Sequence, residues 1–195
     1  MRSKKRQISL TKLVGYLFLL LLFITGVILI KGSKVDFMRL RNYKKKLPCK
    51  EIEVCASSNG KTYEDYRMIT DETSNQYDLI HNHLKVDSKT GFLYDRDGFL
   101  AVALGYQFGE VGSRYYFTLD TGTVLPLIKA DEKDPKDASD GCAVDINGTV
   151  IEFVIDSDRA LHYFGTITNG LVMDGNFNNY EYLKGHIVKM ERVTE

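Results

Sequence analysis

From about residue 86 to the C-terminus the chain repeats one pattern, short runs of β-branched and aromatic residues separated by glycine-bearing turns. The runs are GFLYD (91–95), FLAVALGY (99–106), RYYFTLD (114–120), TVLPLIKA (123–130), TVIEFVID (149–156) and HIVKMERV (186–193). The breaks at RDG (96–98), EVGS (110–113), DTG (120–122) and NG (147–148) supply the backbone freedom that tight turns require. RYYFTLDTGTVLPLI reads as a hairpin, with period-two alternation on both sides of Asp120-Thr121-Gly122. No helices alternate with these strands, so a parallel βαβ sheet is not expected. The pattern predicts a mainly β fold, a small six-stranded barrel with a few short helices.

Those helices are expected in KTYEDYRMITDETSNQYDLIHNHL (61–84). Tyr63, Tyr66, Met68 and Ile69 make one short apolar face, and Thr73 or Ser74 caps a second segment bearing Tyr77, Leu79, Ile80 and Leu84. His81 and His83, two apart, read as structural rather than as metal ligands.

The N-terminal part reads differently. Residues 13–30 (LVGYLFLLLLFITGVILI) carry no charge. As a helix they would span about 27 Å, close to the roughly 30 Å of a hydrocarbon core. The run lacks a small-residue cleavage site, so it reads as an uncleaved transmembrane anchor at 13–31. Arg2, Lys4, Lys5, Arg6 and Lys12 form a basic cytoplasmic tail (1–12). A basic juxtamembrane stalk follows at 32–50, and residues 51–195 form a domain expected outside the cell. The formal net charge of zero, from 26 basic and 26 acidic residues, is therefore a basic end balanced by an acidic remainder. The balanced total argues against nucleic acid as a partner.

Cys49 and Cys55 lie close enough to close a small loop, as an exported domain permits, but three cysteines leave one thiol unpaired and its identity open. There is no CxxC pair and no histidine cluster at ligand spacing, so neither a metal nor a cofactor is expected. Residues 131–145 are rich in Asp but do not follow the spacing of an EF-hand calcium loop. Cys142 with His162 or His186 would make a nucleophile and base on paper, yet no residue to orient them is identifiable.

Residues 99–156 resemble the core of the double-psi β-barrels found in rare lipoprotein A, 3D-domain proteins and membrane-bound lytic transglycosylases. The order of parts carries the resemblance. VALG (102–105) ends an apolar strand, GSRYYFTLDTG leads into a hairpin, TVLPLIKAD enters an acidic loop, Asp145 follows, and TVIEFVID closes the run. The chain departs from those barrels at Asp131-Glu132-Lys133-Asp134-Pro135, where they continue with Arg-Gly-Pro or Thr-Gly. TYEDYRMIT (62–70) with VIEFVID is also similar to a set of membrane-anchored proteins of Gram-positive bacteria that carry no known function.

The barrel resemblance implies a cleft in which Asp131 serves as general acid and base, with Asp145 beside it. Lys133 would hold Asp131 ionised or meet a substrate carboxylate. Lytic cleavage of a glycan needs one carboxyl that gives and then takes a proton. Hydrolysis needs two carboxyls, roughly 5 Å or 6.5–9.5 Å apart. Glu152 is the third candidate acid, because a charge in mid-strand VIEFV must face solvent or be paired. Tyr116, with Tyr115 and Phe117, is a candidate sugar-stacking residue, although aromatics in a small barrel usually pack the core. Two functions are expected: a membrane-anchored envelope protein whose extracellular barrel binds wall glycan or an envelope partner, or a peptidoglycan-cleaving enzyme.

Overall fold

The computed structural model describes Tyr16 and residues 34–194. The chain divides into two units, Met1–Gly32 and Ser33–Glu195. Apart from Tyr16, the expected anchor at 13–31 lies outside the described residues. Among the described residues no helix is long and apolar enough to cross a membrane. The expectation of a single-pass membrane protein with an extracellular domain is therefore not supported.

The second unit contains β1 (Cys49–Ile52), β2 (Lys61–Asp65), β3 (Lys85–Val86), β4 (Leu93–Tyr94) and β5 (Leu100–Leu104). It continues with β6 (Arg114–Leu119), β7 (Val124–Glu132), β8 (Ile151–Ile155) and β9 (Ile187–Val193). The main path runs β1-β9-β6-β7-β5-β4-β3, and β8 joins β5 to β2. All six predicted runs are strands, but they do not close into a six-stranded double-psi barrel. Closure requires each strand to be paired on both sides, and the mixed sheet instead forks at β5. Leu100 pairs with Tyr94 of β4, whereas Val102 and Ala103 pair with Phe153 and Glu152 of β8. The strands β1, β2 and β3 are left at open ends. Two pairs, β5–β7 and β2–β8, are parallel.

The central strand LAVAL is buried throughout, as a strand covered on both faces requires. One face carries Leu100, Val102, Tyr115, Phe117, Leu127 and Phe153. The other carries Ala101, Tyr116, Ile128, Ala130 and Val154, covered by Ile80, Leu84 and Phe99. Ser74 caps the helix Asn75–Asp78 by accepting from the Tyr77 amide, one of the two predicted caps. At the start of the predicted helical region Lys61–Asp65 is instead strand β2, and a single 3-10 turn, Tyr66–Met68, capped by Asp65, follows it. A helix not anticipated, Ser157–Phe164, is capped by Asp156 and ends at Gly165, whose φ of 72° only glycine adopts freely.

Residues 34–50, expected as a stalk, are part of this fold. Phe37 is buried against Phe92, Phe164 and Tyr180, and the backbone amides of Lys46 and Leu47 donate to the Tyr116 hydroxyl. The disulfide joins Cys55 to Cys142 across 87 residues, and Cys49 is the free thiol. The small Cys49–Cys55 loop does not form. Cross-linking so long a segment restricts the unfolded chain, so replacing Cys55 and Cys142 by Ser should lower stability by about 2–5 kcal/mol. Urea denaturation checks this, and Cys49→Ser should leave the midpoint nearly unchanged.

Candidate functional site

Strand register brings the acidic residues together. Asp131 of β7 lies opposite Ala103 of β5, Ala103 opposite Glu152 of β8, and Glu152 opposite Thr62 of β2. Residues opposite one another share a face, and Glu64, two beyond Thr62, shares it too. Ala103 sits between the acids and adds only a methyl group, leaving room for longer side chains to approach across β5. Asp131 reaches this face through a register shift between Val102 and Ala103, which pair with Lys129 and Asp131. The extra residue, Ala130, is a bulge, and such bulges re-aim the side chain that follows.

The carboxyls are partly desolvated. Burial, then the proximity of Asp131 and Glu152, pushes Glu64 up from 4.5 to about 8. Burial also raises Asp131, against hydrogen bonds from the Glu132 backbone, Glu64 and Gln76. The Glu64 Oε1 atom is buried and has no hydrogen-bond partner among the described residues. Lys133, only 5% exposed, has its pKa lowered by burial while Glu152 and Glu64 oppose the shift. Its Nζ donates to the Thr149 carbonyl at 3.0 Å. At neutral pH, then, Glu64 retains a proton beside Asp131.

An open groove of about 500 Å³ adjoins this cluster. Thr62, Lys133, Thr149 and Glu152 line its sheet side, and Asp134, Lys136, Asp137 and residues 144–147 line its loop side. Glu64 and Asp131 are not among its lining residues. Asp145 stands in the loop wall, where it accepts from the Ser139 amide and hydroxyl at 3.2 and 2.9 Å, rather than beside Asp131. Tyr116 is fully buried, packed on Phe99 and Tyr43, and is not part of the groove. The structure therefore places Lys133, Glu152 and Asp145 on one groove, groups Asp131 with Glu64 next to it, and leaves Tyr116 in the core.

Glu64 and Gln76 are the residues that sequence reasoning missed. The alternation Thr62-Glu64-Tyr66 was the available signal for Glu64, had KTYED been read as a strand. Gln76 carries no comparable signal. Among the described residues no group of three or more His, Cys, Asp or Glu is arranged to hold a metal ion.

The loop wall is pinned to the sheet. Cys142 is buried in its disulfide, Gln107 donates its amide to the Gly141 carbonyl at 3.1 Å, and Asp140 accepts from the amides of Cys142 and Ala143. Gly105 and Gly141 meet so closely that a Cβ on Gly105 would lie 2.0 Å from the Gly141 oxygen. No family model, curated protein or solved structure matches the chain.

Two outcomes follow from this geometry. The unfolded chain releases the Glu64 proton near 4.5 and the folded chain near 8, so the folded state binds more protons between those values. Stability should fall as pH rises through that window. Urea denaturation at pH 5 and pH 8 should show Glu64→Gln reducing this loss, and equal slopes in both proteins would contradict it. Gly105→Ala should displace the loop and raise hydrogen exchange at 138–145, while Gly98→Ala, with nothing within 4 Å of its Cβ, should leave that loop protected.

Proposed function

We propose that this domain is a binding module that takes a hydroxyl-rich ligand, such as a glycan strand, in the groove beside β8. The observation that carries the reading is the placement of Lys133 and Glu152, a partly desolvated donor and an acceptor, side by side on the wall of an open groove. A buried cation and a strand carboxylate held by the sheet keep fixed positions, which suits recognition of hydroxyl groups. Thr62 and the loop residues around Asn147 add further polar contacts.

A second reading, acid-assisted cleavage of a glycan, is favoured by one observation: Glu64 keeps its proton to about pH 8 beside Asp131. A general acid must come within hydrogen-bond reach of the leaving oxygen, and Glu64 and Asp131 do not line the groove. Binding is therefore the better-supported function.

Calorimetry with soluble peptidoglycan fragments and the full chain tests both readings. Binding that weakens about tenfold or more in Glu152→Gln and Lys133→Met is expected. Fragment shortening by the wild type that Asp131→Ala or Glu64→Gln abolishes would favour cleavage. Absence of both binding and shortening would overturn the glycan assignment.

A further inference from the structure

A second pocket, of about 420 Å³, lies where the Leu79–His83 turn, the β4–β5 turn and strands β6, β7 and β9 meet. Three guanidinium groups, those of Arg96, Arg114 and Arg192, share its wall with the apolar side chains of Leu79, Ile128 and Val193. None of these residues belongs to the groove described above.

The three arginines are held in different ways. Arg114 is mostly buried, lies 2.7 Å from Asp95 and 3.1 Å from Asp97, and stacks over the Phe99 ring at 5.2 Å. Those contacts hold its guanidinium plane. Arg96 is exposed and 3.5 Å from Asp97. Arg192 has no carboxylate partner among the described residues. Its Nη2 donates to the Ser113 hydroxyl at 3.3 Å, and it passes so near Gly109 that a Cβ there would lie 3.3 Å from the same nitrogen. Arg114 is thus committed to internal contacts, whereas Arg192 and the exposed Arg96 present their guanidinium groups at the pocket.

We propose that this pocket binds an oxyanion carried on a short hydrocarbon body, with Arg192 and Arg96 engaging the anion and Leu79, Ile128 and Val193 covering the apolar part. The planar guanidinium fork matches carboxylate and phosphate oxygens, and it is weakly hydrated enough to exchange water for such a ligand. The apolar wall excludes water from one side of the contact and strengthens it. An anion without a hydrocarbon body would leave that wall unused.

The test is a titration of the full chain at low ionic strength with hexanoate, hexyl phosphate and inorganic phosphate, followed by amide NMR shifts. Saturable binding of hexanoate or hexyl phosphate is expected, tighter than that of inorganic phosphate. The tighter of the two alkyl probes identifies the anion as carboxylate or phosphate. Arg192→Gln and Arg96→Gln should each weaken it about tenfold, as the loss of one charged hydrogen bond does. Lys133→Met should leave it unchanged, which separates this pocket from the groove. The proposal is overturned if no alkyl probe saturates, if inorganic phosphate binds as well as both, or if the arginine variants bind like wild type.

Discussion

Three carboxyl groups, on strands β7, β8 and β2, share one partly buried face of the sheet, and the arrangement around them answers the need to limit that charge. An ionised carboxylate withdrawn from water is expensive unless it is paired or protonated. The fold uses both remedies. Lys133, itself desolvated, supplies one positive charge near Glu152 and Glu64, and Glu64 keeps a proton that it shares with Asp131. Proton and ammonium together keep the cluster from carrying its full charge at neutral pH.

The same sheet positions the groove's outer wall. The loop between β7 and β8 carries Asp145 and the residues around it. Three kinds of attachment hold it: a disulfide to Cys55, a hydrogen bond from Gln107, and the close approach of Gly105 to Gly141. None of these attachments involves the acids. The wall and the charged floor can therefore be disturbed separately, which makes the contribution of each measurable.

The sequence announced the strands of the second half well, because β-branched and aromatic runs bounded by glycine turns leave few alternatives. LAVAL and RYYFTL declare themselves by apolar continuity, and the β6–β7 hairpin by Asp-Thr-Gly. What stayed hidden was pairing. The fork at β5 and the parallel β2–β8 pair depend on contacts between residues far apart in the chain, and local pattern does not encode them. KTYED looked helical because Tyr63, Tyr66 and Ile69 recur at helical spacing, yet the chain uses its period of two. The Ala130 bulge was equally invisible, and without it Asp131 would change faces. Asp131, Glu152 and Lys133 were legible as charges at strand ends or interiors, whereas Glu64 was lost with the misread strand. Cys55 was seen beside Cys49, but its bond to Cys142 follows from the loop's return to the sheet.

The central claim is that Glu64 retains its proton through neutral pH because it is buried beside two other carboxyls. Carbon-13 NMR of the Glu64 side-chain carboxyl, followed from pH 4 to pH 10 and assigned with Glu64→Gln, measures this directly. The account predicts a titration midpoint near 8, moving down when Asp131 is replaced by Asn. A midpoint between 4 and 5, unmoved by that replacement, would contradict it.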